Sequence, residues 1–479
     1  MTAGTAGDWE MVVGLEVHCE LLTVTKLFCG CRNAFGDEPN TNICPVCLGL
    51  PGSLPVLNRH AVELAMRIGS ALHCEIRPST FHRKNYFYPD MPKDYQISQY
   101  DEPINVGGWL ELPDGDRVGV TRAHIEEDTG KTTHMGGGGR IGSADYSLVD
   151  YNRAGVPLVE IVSEPDIRSA AAARAYAAEL RSILVATGAS DGRMEEGSMR
   201  VDANVSVRPR GRAEFGTRCE IKNLNSLRSL TRAVEFEAAR QISLIEEGGT
   251  VSQETRHWDE VAGRTLTMRS KEEAEDYRYF LEPDLVPLVP EPSWVEAVAQ
   301  SIGPLPAARR AALLSLLDDA SGSQREQVIA VVNQDLDHLV VIATDAGVAP
   351  ALALTRVANE VAAGYDPARG LDPSSFSALL SLEASGSLSA TQAKAVLVEM
   401  LAAGGDPAQI AKAKGFEGLS TDTLAAAVAE VVAAHPAEWG RLVEGDDKLY
   451  QFFTGQVMRI TKGQANGEAV RSELDRLKG

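Results

Sequence analysis

The sequence predicts an α+β protein in which a large antiparallel sheet comes first and helices follow. Short β-prone runs, Met11–Val17, Arg117–Thr121, Leu158–Val162 and Arg200–Val207, lie within about the first 290 residues. Helical stretches fall between them without the strict strand–helix alternation of a parallel sheet. From about residue 293 the chain becomes rich in Ala, Leu, Val and Glu and poor in aromatics, a composition suited to packed helices.

Each element has a local cause. In Arg200–Val207, Val201, Ala203, Val205 and Val207 share one face, and Asp202, Asn204 and Ser206 share the other. That period of two predicts a strand with one packed and one polar face. Ser169 can N-cap an Ala-rich helix through Thr187, with Leu180, Ile183 and Leu184 at helical spacing and Gly188 beyond its end. A second helix is predicted from Leu227 to Glu247, before Gly248-Gly249. The prolines of Glu282–Pro292 stop helix and ladder alike and mark a boundary near 290. Leu339–Leu354, broken by Asp345, reads as buried helix or strand, and Gly404-Gly405-Asp406-Pro407 marks a second boundary. Ser420-Thr-Asp-Thr opens a helical run at Leu424–Ala434. The four glycines of Gly136–Gly139, inside Met135–Ala144, read as a surface loop. The domains expected are therefore 1–290, 291–405 and 406–479.

Composition bounds the function. The 479 residues carry 46 Lys plus Arg against 67 Asp plus Glu, a net charge of −21. This excludes nucleic-acid binding by bulk charge, which needs clustered cations, and leaves room for a local basic site. The first residues lack the basic and apolar regions of a secretory signal, and no apolar run reaches about 18 residues. Seven cysteines in so long a chain do not form a disulfide scaffold, so a reducing cytoplasm and no membrane are expected.

Three constellations could carry chemistry. Cys29-x-Cys31 and Cys44-x-x-Cys47 lie twelve residues apart, and two short cysteine pairs closed by a loop suit tetrahedral Zn²⁺. A closed four-thiolate site has no open position, so its role is structural: it pins the loop-rich Leu27–Leu57. The second constellation is Glu16-Val-His18, with both polar side chains on one face of a strand, together with His124-Ile-Glu126-Glu127-Asp128 and Glu160. Glu160 stands inside an apolar strand and needs a cation or metal, and hard oxygens from several strands suit Mg²⁺. The third is Phe81–Gln99, which packs aromatics, cations, amides and hydroxyls into a stretch that Pro89 and Pro92 keep irregular, a composition suited to a nucleotide or a nucleic-acid end. Neither a P-loop, a dinucleotide fingerprint, a zincin motif nor a Ser-His-Asp signature occurs.

These segments share one resemblance. Val-Gly-Leu-Glu-Val-His (13–18), Cys-Pro-Val-Cys-Leu-Gly-Leu-Pro-Gly (44–52), Arg-Lys-Asn-Tyr-Phe-Tyr-Pro-Asp (83–90) and Glu-Glu-Asp-Thr-Gly-Lys (126–131) carry it. So do the stretches 152–166, 194–204, 220–226, 276–285 and 455–466, in order, from about residue 9 to the C-terminus. The chain resembles the B-subunit family of the tRNA-dependent aspartyl/glutamyl amidotransferases.

The resemblance implies a glutamine-synthetase-like cradle domain, a helical domain and a small helical tail that contacts tRNA. It implies an ATP-dependent ligase that phosphorylates the side-chain carboxylate of Glu on tRNA(Gln) or Asp on tRNA(Asn). Ammonia from a glutaminase A subunit then displaces the phosphate, and a small C subunit completes a heterotrimer. Carried over by position, Glu16, His18, Glu127 and Glu160 match the family's catalytic magnesium ligands, with Glu126 as the alternative to Glu127. Lys84, Tyr86, Tyr88, Lys93 and Arg153 are candidates for phosphate or acceptor-end contacts. Cys29, Cys31, Cys44 and Cys47 match a zinc site found in part of the family. The Met135–Ala144 loop is longer than in most members. Lys448, Arg459, Lys462, Arg471, Arg476 and Lys478 make the end of the chain locally basic. The competing readings are a zinc-stabilised RNA-binding module without catalysis and a stand-alone ligase acting on a free amino acid.

Overall fold

The computed structural model describes residues 8–136, 144–268, 277–365, 370–416, 421–461, 465 and 467–478. Most of the Met135–Ala144 loop, Ser420 and Lys462 lie outside the described residues. The chain divides into two compact units, Met1–Ala307 and Ala308–Gly479.

The strands of the first unit are β1 (Trp9–Glu20), β2 (Glu75–Ile76), β3 (His82–Asn85), β4 (Tyr95–Ser98), β5 (Asn105–Glu111), β6 (Arg117–Glu127), β7 (Lys131–Met135), β8 (Tyr146–Asp150), β9 (Pro157–Ser163), β10 (Met199–Pro209), β11 (Cys219–Leu224), β12 (Glu254–Asp259), β13 (Arg264–Thr267) and β14 (Phe280–Leu281). Twelve of them form one sheet in the order β13-β12-β11-β10-β1-β9-β6-β4-β3-β14, with β5 beside β6 and β2 beside β5. β7 and β8 form a separate hairpin. The sheet is mixed rather than purely antiparallel, because β11 and β12 run parallel. The cause is local: helix α3 (Leu227–Glu246, after α1, Arg59–Ala71, and α2, Ala170–Ala186) lies between β11 and β12, and such a crossover returns the chain in the same direction.

Period-two alternation sorts the sheet into two faces. Val13, Leu15, Val17 and Cys19 of β1, Ala123 and Ile125 of β6, Val159 and Ile161 of β9, and Val201, Ala203, Val205 and Val207 of β10 are buried in one core with the apolar sides of α1, α2 and α3. The intervening residues, among them Glu16, His18, His124, Glu126, Glu160 and Asp202, lie on the other face. As the sequence predicts, Ser169 caps α2 at the Ala172 amide, and Gly188 follows with φ of 67°. The proline-dense segment does not end the first unit, because α4 (Pro292–Gln300) returns to α1: the Trp294 indole donates to Glu63 and lies 3.9 Å beneath the Arg59 guanidinium.

The second unit is helical throughout its described residues. One core runs from Leu313 to Ala411 around Phe376 and Leu397, and a separate one runs from Val428 to Leu474 around Phe453. Leu339–Leu354 resolves into two helices, Asp337–Asp345 and Pro350–Arg356, which meet at Gly347, with φ of 90°. Among the described residues, no helix is long and apolar enough to cross a membrane.

Candidate functional site

Three neighbouring strands build a buried charged centre on the open face of the sheet. In register, His18 of β1 stands opposite Glu160 of β9, and Glu160 stands opposite His124 of β6. Glu126, two residues beyond His124, leaves the same face. His18 Nε2 lies 3.4 Å from Glu160 and 4.0 Å from Glu126, and His124 Nε2 is 3.8 Å from each carboxylate. Ligand atoms of His18, Glu126 and Glu160 all fall within 4.8 Å of one another. Arg122 reaches Glu160 at 3.5 Å from the side.

The electrostatics follow from this crowding. Burial alone would lower the His18 pKa, but the hydrogen bond and charge of Glu160 and the charge of Glu126 overcome it, pushing the imidazole up to about 9. Burial raises Glu160 and Glu126. His124, His18 and Arg122 outweigh it at Glu160, and His124 and Lys84 at Glu126, so both carboxyls fall below the ordinary range. Burial and the Glu160 charge raise Glu16, which accepts from Asn204 at 2.9 Å. A proton on His18 is thus held by two carboxylates, in a place where a divalent cation would be held by the same atoms. One nitrogen and two carboxylates, with Glu16 alongside, fit Mg²⁺ or Mn²⁺.

Glu127 is not part of this group, contrary to the expectation that placed it with Glu16, His18 and Glu160. Its pairing partner on β9 is Pro157, next to Leu158 opposite Glu126, so the pleat turns it to the other face. There its carboxylate pairs with Lys93 and accepts the Ile97 amide at 2.8 Å. Glu127, Lys93, Ile97, Phe28, Cys29 and Cys47 all border a cavity of about 50 Å³ beneath the cysteine loop. Lys93 is therefore committed to Glu127 and stands apart from the charged centre.

The four cysteines converge as their spacing predicts, with all sulfurs within 4.8 Å of one another and Cys44 and Cys47 Sγ 3.9 Å apart. A tetrahedral Zn²⁺ with ~2.3 Å bonds needs sulfurs ~3.8 Å apart, so the donors fit. The Cys44 amide donates to Cys47 Sγ at 3.1 Å. A hydrogen bond from Cys29, that amide and the Lys26 charge bring the Cys47 thiol down to about 5 despite burial. Cys47 is thus favoured as the thiolate, while the hydrogen bond to Cys47 and burial push the Cys29 thiol up, and burial and the neighbouring sulfurs push the Cys31 thiol up. The loop is stitched to the segment before β9: Asn40 donates to Asp150 and Val149, the Asn42 amide to Asn152, Asn152 to Glu38, and the Leu27 amide to Gly155.

The other predicted residues spread around the centre. Lys84 of β3 lies 4.6 Å from the Tyr277 ring centroid, and its charge helps lower Glu126. Tyr86 and Tyr88 stack 5.8 Å apart, with burial pushing Tyr86 up to about 12, and Tyr88 reaches solvent. Arg153 donates to the Thr129 and Gly130 carbonyls at 3.0 Å and supports Asp128, which also pairs with Arg200 at 2.5 Å. Lys222 of β11, held between Asp202 and Glu220, is near enough to act on the phenols of Tyr86 and Tyr277, which lie at the opposite end of the strand order. The sequence groups His124 with Glu126 but does not place Arg122 or Arg200 in the site. His124 carried a signal, since it stands two residues from Glu126; the others are joined only by strand pairing.

A mixed sheet thus carries a buried carboxylate–histidine centre on one face and a four-cysteine cluster, and the described residues of the second unit are helical. Residues 11–296 match the GatB/GatE catalytic domain and residues 342–477 the GatB domain. The B subunit of the aspartyl/glutamyl-tRNA(Asn/Gln) amidotransferase of Frankia casuarinae is 50% identical over 97% of this chain and 95% of its own length. The corresponding B subunits of Mycobacterium sp. strain KMS and Carboxydothermus hydrogenoformans are 49% and 46% identical, covering 97% and 98% of this chain and 95% and 98% of their own. The chain belongs to the family of aspartyl/glutamyl-tRNA amidotransferase B subunits, and so to the amidotransferases.

Proposed function

We propose that the chain is the activating and amidating subunit of a glutamine-dependent complex that converts Glu-tRNA(Gln), Asp-tRNA(Asn) or both to the amide. The observation that carries this reading is the convergence of His18, Glu126 and Glu160 on the open face, next to Lys84 and Arg122. A side-chain carboxylate is a poor electrophile, so its oxygen must first take the γ-phosphoryl group of ATP. Ammonia then attacks the carbonyl carbon of the mixed anhydride, and inorganic phosphate leaves with the C–O bond electrons. A bound Mg²⁺ supplies neutralisation of phosphate charge. On this reading His18, Glu126 and Glu160 hold the cation, with Glu16 beside them. Lys84 and Arg122 offset phosphate charge, while Arg153 and Arg200 fix Asp128 and the turn after β6. Glu127 lies outside this set and orders the rim through Lys93.

The reach of Lys222 toward Tyr86 and Tyr277 supports a sheet bent into a cradle, with these tyrosines and Tyr88 as a wall for a nucleotide or the acceptor end. The two cores of the second unit read as a helical domain and a tail domain whose basic end contacts tRNA. A glutaminase A subunit and a small C subunit are the partners, zinc is structural, and the complex works in the cytoplasm. The test is to co-express the three subunits and measure ATP turnover with each misacylated tRNA. Turnover and amide formation that require the matching tRNA support the reading. tRNA binding without turnover would favour a non-catalytic RNA-binding module, and turnover on free glutamate would favour a stand-alone ligase.

A further inference from the structure

Lys26 is among the largest side chains buried completely, with 0% of its surface exposed. Its ammonium group donates to the Tyr151 carbonyl at 3.1 Å and pairs with no carboxylate among the described residues. A buried cation with one neutral partner is costly, so an anion is required near it. Two groups stand close, around Gly155. A β-carbon placed on Gly155 would lie 3.6 Å from Lys26 Cδ, 3.7 Å from Cys47 Cβ and 3.7 Å from a Glu127 oxygen. Glu127 carries one negative charge, and its Oε1 already holds Lys93 and the Ile97 amide, so one carboxylate faces two lysines and the sulfurs are the remaining anionic groups. Four thiolates around Zn²⁺ carry a net charge of −2, one amide reaches Cys47, and the surroundings, Phe28, Val46 and Leu50, are apolar.

We propose that Lys26 is the buried counter-charge of the four-cysteine zinc centre, a positioning residue that raises zinc retention by its charge and ties the loaded loop to Tyr151, two residues before Arg153. This rests on the reading of the cysteines as a zinc site. The glycine at 155 is part of the device: its φ of 84° and missing side chain let the lysine stem and Cys47 approach.

The experiment uses the full-length chain, Zn²⁺ and a chromogenic chelator. Zinc content of the unaltered chain is measured first. Less than about half an equivalent per chain overturns the zinc reading itself. With zinc present, Lys26→Gln, which keeps a donor for Tyr151, and Lys26→Met, which keeps the volume, should each lose zinc to the chelator at least about tenfold more readily. Lys26→Arg should stay near the parent. Co²⁺ loaded in place of Zn²⁺ should show four-thiolate absorption in all of them, so that lost affinity is not lost ligation. A folded neutral variant within about twofold of the parent overturns the counter-charge role. If only the arginine variant folds with zinc, the charge role stands. If all three fail to fold, Lys26 is a packing requirement and the proposal falls.

Discussion

Glu126 and Glu127 are adjacent on β6, yet they meet different surroundings because successive side chains of a strand leave opposite faces. Glu126 joins His18 and Glu160, and Glu127 pairs with Lys93 below the cysteine loop. Mn²⁺ binding, read by the paramagnetic signal of the bound ion, separates the two. Glu126→Gln is expected to weaken binding at least ~10-fold, and Glu127→Gln to leave it within about twofold. The opposite order would place the cation on the other face. This is also where sequence reading reached its limit. The motif Glu-Glu-Asp names three contiguous acids, and only the pairing of His124 with Glu160 decides which one points inward. Glu16 and His18 needed no such pairing, because they sit two apart on one strand. The cysteines were legible for a similar reason: zinc geometry is set by short spacings, whereas the Arg200–Asp128 pair joins residues 72 positions apart.

Elements hold these residues through a few buried polar contacts. Glu237 on α3 is fully buried and accepts from Arg240, Gln241 and Thr265, joining the helix to β13. Burial raises its pKa, but these hydrogen bonds and the Arg240 charge bring it below the ordinary value. A depressed folded value means stability present above the unfolded pKa of about 4.3 and lost as pH falls through the folded one. Glu237→Gln should therefore cost about 3 kcal/mol at pH 7. The gap should narrow as pH drops below about 4, which urea titration at two pH values reads; a gap unchanged by pH would contradict the assignment. Removing zinc should speed amide hydrogen exchange in 25–57 and, through Asn40, Asn42 and Asn152, in 149–156, while β10 stays protected. Equal acceleration in β10 would mean that the metal supports the whole sheet rather than its rim. The alternation in Arg200–Val207 makes β10 legible from side-chain order alone. The parallel β11–β12 pair is not, because its direction depends on where α3 returns the chain.

Across the whole molecule, the charge of −21 and the expectation of an RNA partner are reconciled by locality. In the tail, Arg471 and Lys478 lie over the Tyr450 ring and Arg476 pairs with Glu473, which leaves Lys448 and Arg459 without an ion pair among the described residues. Replacing both with Ala should raise the tRNA KM in the assembled complex and leave kcat with saturating tRNA unchanged. A fall in kcat at unchanged KM would contradict a docking role. Activation of the carboxylate by the open-face centre is tested by supplying ammonium in place of glutamine. In the three-subunit complex, Glu126→Gln and Glu160→Gln should abolish amidation of misacylated tRNA with ammonium while glutamine hydrolysis persists. Ammonium-driven amidation at the parent rate in both variants would contradict it.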